Sequence, residues 1–344
     1  MTGQLAPTSD DRIIWDTWQA MFRLPVCTVA DEAGIFRALG DAALTTGELG
    51  ARLSLAVHPL SIVLAALASS GLIEKREGKW RALPAARTWL HPEAEGYWGG
   101  FLASMRERTG FHAQLMEALK TGQRPDSFNS GAPEWERGAM SAEAATRIAA
   151  FMHAHSQAPA RGAAAQAVFG QVRHLMDVGC GSGVYGIEIA KAHPALTVTL
   201  MDLTAMADEA GHYVARGGVS GRVGTAGVNM FTEAWPSGPD GPDAHFFSNV
   251  FHDWSDETNR LLAAKSFAAL PSGGRIFLNE ILMDDDGTGP WHAASFSLLM
   301  LVGTLGKQYS LPEFRAILES AGFTDVQAVA TGGGYYSLVS ATKP

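Results

Sequence analysis

Between residues 172 and 280 short apolar runs alternate with stretches of helical spacing, and glycine- or proline-rich turns separate them. Residues 172–175 run into Met176-Asp177-Val178-Gly179-Cys180-Gly181-Ser182-Gly183, and residues 184–190 follow with helical spacing, so a strand ends in a glycine turn that opens a helix. Residues 197–201 form a second strand ending in Asp202. A third apolar run, from Phe246, stops at His252-Asp253-Trp254-Ser255-Asp256. A helix over 258–270, a Pro-Ser-Gly-Gly turn and the strand 275–279 ending in Glu280 complete the series. Such alternation predicts an α/β, Rossmann-like doubly wound domain, in which ligands collect beyond the carboxyl ends of the strands. Asp177, Asp202, His252 and Glu280 are therefore expected to face one crevice.

The first third of the chain has a different rhythm. An amphipathic helix over 28–39, a short capped one over 45–53 and an apolar one over 59–70, ended by Gly71, precede a hairpin over 72–83. Three helices and a β wing predict a mainly α, winged-helix module within residues 1–100, with residues 101–344 holding a helical connector and the α/β domain. A DNA-reading helix needs polar and basic side chains. Residues 58–67, His-Pro-Leu-Ser-Ile-Val-Leu-Ala-Ala-Leu, offer almost none, so this helix is expected to pack on something apolar. Residues 11–29, with Trp15, Trp18, Met21 and Phe22 at mixed helical spacing, read as a core helix. Residues 94–170 are helical in pattern, broken by a Gly/Pro/Ser/Asn-rich loop over 121–133. A helix over 141–158 carries Met152, His153, His155 and Ser156; the two histidines point to different faces, and no segment has zinc-ligand spacing.

The glycine turn narrows the chemistry. Dinucleotide turns read Gly-x-Gly-x-x-Gly and rest a pyrophosphate on the helix N-terminus; here the spacing is Gly-x-Gly-x-Gly, at Gly179, Gly181 and Gly183. Asp177 just before it would repel a phosphate but suits the ammonium of an amino acid cofactor. A second acid, Asp202, about 20 residues on, stands where such folds hold a ribose. S-adenosylmethionine meets both conditions; a nicotinamide cofactor, or a turn that is tight for structural reasons alone, are the other readings.

Composition excludes several classes. The formal net charge of −9 in 344 residues argues against a phosphate-binding surface, so no nucleic-acid partner is expected. Only Cys27 and Cys180 are present, which excludes a disulfide framework and suits a reducing, cytoplasmic setting. Neither a signal pattern at residues 1–11 nor an apolar run of membrane-spanning length is read, so no membrane partner is expected.

The segments MDVGCGSG, LMDLT, VNMF, FSNVFHDWSDE, PSGGRIFLNEIL and GKQYSLPEFRAILESAGF together resemble the S-adenosylmethionine-dependent O-methyltransferases of the plant caffeate and acetylserotonin type, over nearly the whole chain. That resemblance implies a homodimer built through the N-terminal module, with residues 11–29, as the alternative to a core helix, forming a piece that reaches into the partner's site; it also implies a small hydroxylated acceptor from secondary metabolism, and no metal. It implies that His252 is the base that deprotonates the acceptor and that Glu280 orients it. Asp202 would bind ribose, Leu203, Met230, Phe231 and Trp254 would surround the adenine, and Ser156 and Ser248 would stand beside the cofactor. Met152 and His155 would form a substrate wall. Two positions depart from the family pattern. Val228-Asn229 replaces Gly-Asp, so the adenine amino group is expected to meet the amide oxygen of Asn229. Gln308 stands where plant members place a second Glu beside the base.

The acceptor pocket is expected from Trp98, Phe101, Phe111, Phe296, Leu299, Met300 and Val302, an apolar lining suited to a flat ring. No Lys or Arg occurs between Asp284 and Gly306, which disfavours a carboxylate acceptor. Two alternatives remain open at this level. One is C- or N-methylation on the same scaffold, including metal-assisted methylation of a 2-oxo acid with His252, Asp253 and His292 as ligands; the other is a non-catalytic regulator that senses the cofactor.

Overall fold

The structure is a computed structural model that describes residues 10–95, 97–106, 110–125, 134–332 and 334–344. The chain opens with α1 (Arg12–Gln19), a 3₁₀ turn (Ala20–Phe22), α2 (Arg23–Glu32) and α3 (Ile35–Leu39). The helix expected over 28–39 is thus two helices. Gly34, in the left-handed region at φ 75°, breaks it, a conformation open to glycine at little cost. The single helix expected over 11–29 is likewise interrupted at Ala20–Phe22.

α4 (Thr46–Leu53) begins at a capping box in which Thr45 and Glu48 each bond the other's backbone N–H. α5 (Val57–Ser69) follows, then the hairpin β1 (Ile73–Arg76) and β2 (Lys79–Ala82), turned by Glu77 and Gly78, both at positive φ. α6 (Pro84–Trp89), α7 (Gly99–Arg106) and α8 (Gly110–Thr121) lead to α9 (Ala142–Ala164), whose first turn is capped by Ser141. From residue 126 to 133 the loop expected over 121–133 lies outside the described residues.

The α/β half runs β3 (His174–Val178), α10 (Val184–Ala192), β4 (Thr197–Asp202), α11 (Thr204–Gly217), β5 (Val223–Gly227), β6 (Ala244–Ser248), α12 (Asp256–Ala269), β7 (Arg275–Glu280), α13 (Trp291–Gly303), α14 (Leu311–Ser320), β8 (Thr324–Ala330) and β9 (Ser337–Thr342). The sheet order is β5-β4-β3-β6-β7-β9-β8. Strands β3 to β7 pair in parallel, and β9 pairs antiparallel with both β7 and β8. Strand order reverses between β3 and β6, which opens a crevice at their carboxyl ends.

α13 ties the two parts together. It is apolar on nearly all sides and packs against α1, α5 and α8, so one hydrophobic core runs from Trp15 and Leu64 through Leu115 to Phe296 and Val302. Leu60, Val63, Leu64 and Leu67 of α5 are fully buried. The apolar partner expected for this helix is therefore α13 of the same chain.

Candidate active site

The glycine turn needs glycine for two separate reasons. Gly179, Gly181 and Gly183 all have φ between 55° and 74°, where other residues are strained. A Cβ on Gly179 would come within 2.9 Å of Val250, and one on Gly183 would collide with Leu200. Behind the turn, Asp177 is buried and its Oδ2 accepts a hydrogen bond from the Gly186 N–H at 3.1 Å. Asp202 accepts from Leu203 N–H at 2.7 Å through Oδ1 and from Gly181 N–H at 2.9 Å through Oδ2. Burial pushes the Asp177 carboxyl up to about 7, the Gly186 bond opposing and the nearby Asp202 adding to the rise. Burial likewise raises Asp202 to about 6 against its two backbone bonds.

Both acids border one cavity, together with Gly179, Gly181, Leu203, Asn229, Met230, Phe231, Ser248, Trp254, Ser156 and Met152. Among the described residues no Lys or Arg lines it. A buried and a half-buried carboxyl with no Lys or Arg beside them there suit a ligand that brings its own ammonium and a diol, as S-adenosylmethionine does. Phe231 and Trp254 meet edge to face at 4.7 Å and wall one side.

Asn229 corrects an expectation. Its Oδ1 accepts from the Phe231 and Thr232 N–H groups at 2.9 and 3.3 Å, because the chain turns there. The amide oxygen is used by the backbone, and what remains for a ligand is the Nδ2 donor. Ser248 is tied to β7 through Asn279 O and Nδ2, both at 3.1 Å.

Several cavity residues carry no sequence signal. Trp135, Met140 and Ile148 come from outside the sheet, and the Tyr185 hydroxyl is buried without a partner. Asn249, at φ 55°, accepts from Tyr336 OH at 2.9 Å, a contact 87 residues apart. Asp253 reads as a turn or cap residue in the sequence; it closes the 3₁₀ turn Phe251–Asp253, whereas the cap of α12 is Ser255, and it also borders the cavity. Burial raises its carboxyl to about 7, opposed by His252 and reinforced by Glu280 and Glu136.

His252 sits on the 3₁₀ turn Phe251–Asp253 that follows β6, 4 % exposed. A Cβ on Gly306 would strike the His252 carbonyl, so the chain there packs directly on this turn. His252 Nδ1 lies 3.1 Å from Glu280 Oε2 and 2.9 Å from Gln308 Nε2, and Nε2 lies 3.7 Å from Asp253 Oδ1. Glu280 is itself held by the Val250 N–H at 3.2 Å. Burial alone would depress the imidazole; the Glu280 and Asp253 carboxylates outweigh it and hold its pKa above the ordinary 6.5.

At the far side of His252 the Phe296 ring stands edge-on at 5.1 Å. Trp15 and Trp18 of α1 lean on Phe296 at 5.8 and 5.6 Å, and Trp15 lies nearly parallel to His155 at 5.9 Å. α1 is fastened in place by Gln19 Nε2 on the His292 carbonyl at 3.0 Å and by the Tyr335 hydroxyl on Asp16 Oδ1. Within one chain, then, α1 packs beside this end of the site, with Trp15 in the core that α13 shares with the N-terminal helices and Trp18 packed against it. His155 does not border the cavity: its Nδ1 bonds the Met152 carbonyl at 2.8 Å.

Other expected pocket residues lie elsewhere. Trp98 and Phe101 pair at 5.5 Å on the surface at α7, both about half exposed, because α7 turns that face outward. Phe111 packs on Phe22 at 5.0 Å, and Leu299, Met300 and Val302 belong to the core that α13 shares with the N-terminal helices. His292 stacks on Tyr335 at 3.8 Å instead of approaching His252. The trio His252, Asp253 and His292 is not assembled; among the described residues no group of three His, Cys, Asp or Glu is arranged to hold a metal.

The O-methyltransferase domain family matches residues 112–324. The chain is similar to 3-hydroxy-5-methyl-1-naphthoate 3-O-methyltransferase of Streptomyces sahachiroi, 34% identical over 92% of this chain and 90% of that protein. It is 31% identical to the N,N-dimethyltransferase OxyT of Streptomyces rimosus over 95% of this chain and 94% of the relative. An O-methyltransferase family 2 protein from Planctomyces limnophilus, solved in complex with apigenin, has the same fold, with a TM-score of 0.85 at 24% identity over 99% of this chain and 98% of that one. The cavity with its paired acids and these matches agree: the chain belongs to the O-methyltransferase family and is an S-adenosylmethionine-dependent methyltransferase.

Proposed function

We propose that the enzyme methylates a hydroxyl group on a small aromatic metabolite, with His252 as general base and Glu280 as its orienting partner. The observation that carries this reading is the Glu280 carboxylate 3.1 Å from His252 Nδ1 while Nε2 points to the Asp253 side of the cavity. A hydrogen on Nδ1 donates to Glu280, which leaves the Nε2 lone pair for the acceptor proton. S-adenosylmethionine, when bound, supplies a methyl group on a sulfonium. The protein's residues align the acceptor in line with that methyl and take its proton onto Nε2 as the oxygen–carbon bond forms and the carbon–sulfur bond breaks. Asp177 would hold the ammonium, Asp202 the ribose, and Leu203, Asn229 Nδ2, Met230, Phe231 and Trp254 the adenine, with Ser156 and Ser248 beside them. Met152 on the cavity wall and Phe296 edge-on to His252 would supply apolar surface for a flat ring. Trp98, on the surface, and Met300, in the core, leave that set.

Incubating the enzyme with methyl-labelled S-adenosylmethionine and a panel of phenols, naphthols, hydroxynaphthoates, amines and 2-oxo acids tests the reading. Product mass and fragmentation should place the methyl on an aromatic oxygen, with no requirement for a divalent cation. Transfer only to nitrogen or carbon, or abolition by a chelator, would replace it. The relative named for a hydroxynaphthoate makes the comparison of that acid with the parent naphthol informative, since among the described residues no Lys or Arg borders the cavity.

We further infer a homodimer, with residues 1–100 as a winged-helix-like dimerisation module. Trp15, Phe22 and α5 find their burial within one chain and give no argument for it. What supports it is other apolar surface: Ile13 and Ile14 on α1, Met21 on the 3₁₀ turn after it, Trp98 and Phe101 at α7, and Phe151 on α9 are each more than half exposed. Apolar surface of this extent is typical of interfaces. Sedimentation velocity at micromolar concentration should give the mass of two chains, and Ile14→Asp with Phe101→Asp should shift it towards one. A wild-type monomer under these conditions would refute the dimer.

A further inference from the structure

Two side chains converge on one nitrogen. Glu280 Oε2 lies 3.1 Å from His252 Nδ1, and the amide nitrogen of Gln308 lies 2.9 Å from the same atom. A ring nitrogen carries either one hydrogen or one lone pair, so this arrangement serves only one neighbour. A bare Nδ1 accepts from the Gln308 amide but sets its lone pair against the Glu280 carboxylate. A protonated Nδ1 donates to Glu280 and meets the Gln308 N–H groups head on. Turning the Gln308 amide through half a turn resolves the conflict, because its Oε1 then shares the Nδ1 hydrogen with Glu280.

The polar inventory points the same way. Glu280 Oε2 and Gln308 Oε1 are both buried without a hydrogen-bond donor, and a hydrogen on Nδ1 reaches both in the turned arrangement. Gln308 is 1 % exposed, and its backbone N–H is tied to Ser297 Oγ at 3.0 Å. It is therefore built into the wall behind the imidazole.

We propose that Gln308 is a positioning residue: it locks His252 in the tautomer with hydrogen on Nδ1 and, being uncharged, leaves Nε2 free to take a proton near neutral pH. The inference rests on the assignment of His252 as the base. The charged and titratable groups that face the ring are Glu280 from β7, Asp253 from the same turn and His155 from α9; α13 and α1 present only the uncharged Phe296 and Trp15 at this end. A carboxylate in place of the Gln308 amide would add a negative charge at hydrogen-bond distance from the ring. Opposite charges within about 4–6 Å move a pKa by about 1–3. The proton would then stay on Nε2 at pH values where the present enzyme has released it.

The test uses Gln308→Glu and Gln308→Leu in the full chain, each checked for unchanged S-adenosylmethionine affinity. Two quantities are read: the pH profile of kcat at saturating cofactor and acceptor, and the His252 titration by NMR of histidine-labelled protein, assigned by the signal missing in His252→Ala. Gln308→Glu should move both midpoints upward by about 1–3 pH units, costing roughly tenfold or more in kcat at pH 7 that returns at high pH, with KM little changed. Gln308→Leu should lower kcat at every pH without moving the midpoint, because ring orientation is lost and no charge is added. An unmoved His252 titration in Gln308→Glu, or wild-type turnover in Gln308→Leu, would overturn the proposal. A titration that moves while the kcat profile stays put upholds the effect of Gln308 on the ring and rejects His252 as the base, so the two assignments fail separately.

Discussion

Replacing His252 by Ala is expected to cut turnover by roughly 10² to 10⁴, the range for a lost general base, while S-adenosylmethionine affinity stays near that of the parent enzyme. The separation follows from geometry. His252 does not border the cavity formed by Asp177, Asp202 and the adenine-side residues; it approaches from behind Asp253 and meets Phe296 on its other face. Turnover of the parent enzyme should rise with pH through the His252 midpoint and then level off. That midpoint should lie above 6.5, since the Glu280 and Asp253 carboxylates favour the imidazolium by more than burial opposes it. The sign is that of a base: below its pKa the ring is already protonated and cannot accept, above it the lone pair is available. Glu280→Gln should cost less than His252→Ala, because an amide oxygen still orients the Nδ1 hydrogen but no longer stabilises the imidazolium. Its profile should move to lower pH. Stopped-time methyl-transfer assays across pH 5.5–9.5, together with calorimetric titration of cofactor, read all of this. Full activity in His252→Ala would remove the ring from the mechanism.

The cofactor end of this site was legible in the sequence because its chemistry is local. Gly179, Gly181, Asp177 and Asp202 fall at the ends of two consecutive strands, and parallel pairing of β3 with β4 brings them together with no further information. His252 and Glu280 were legible for the same reason: they follow β6 and end β7, which are paired in register. What the sequence withholds is the outcome of long-range packing. Tyr336 meets Asn249 across 87 positions, and Gln308 meets His252 across 56, a contact that the family resemblance anticipates but the residue pattern does not. No periodicity predicts either.

Aromatic residues expose the limit most clearly. Trp98 and Trp15 look alike as apolar rings in helical surroundings, yet one is about half exposed and the other is 4 % exposed against Phe296. The difference is which face the neighbouring helix finds covered. α13 covers α1 and α5, whereas α7 keeps its outer face uncovered within one chain. The apolar character of α5 was a sound guide to burial, but hydrophobicity names no partner, and a second copy of the chain and α13 of the same chain satisfy it equally. Gly34 is the local counterpart: an amphipathic pattern continued through residues 28–39, but a glycine within it gave the chain a cheap place to turn.

Asp202→Ala should weaken S-adenosylmethionine binding at least tenfold, and the effect should exceed that of removing one ligand contact. Charge-assisted hydrogen bonds from a ribose diol are worth about 1.5–3 kcal/mol each, so losing a single one already approaches or passes the roughly 1.4 kcal/mol that separates tenfold steps. The same carboxylate also accepts the Gly181 and Leu203 N–H groups. Its loss therefore loosens the glycine turn as well as the ribose contact, and Asp202→Asn, which keeps one acceptor oxygen, should fall between Ala and the parent. Cofactor affinity should also depend on pH in a defined direction. Burial pushes Asp177 up to about 7 and Asp202 to about 6, and a bound ammonium and diol favour the ionised forms. Affinity should be greatest above pH 7 and decline as pH falls, by up to roughly tenfold per pH unit for each carboxyl that must give up its proton. Asp177→Asn should remove the part of that decline that begins near pH 7. Calorimetry in buffers of differing ionisation enthalpy would register the protons released on binding at pH 6; a dissociation constant that is flat from pH 5 to 8, or unchanged in Asp202→Ala, would place the cofactor's polar groups elsewhere than on these two acids.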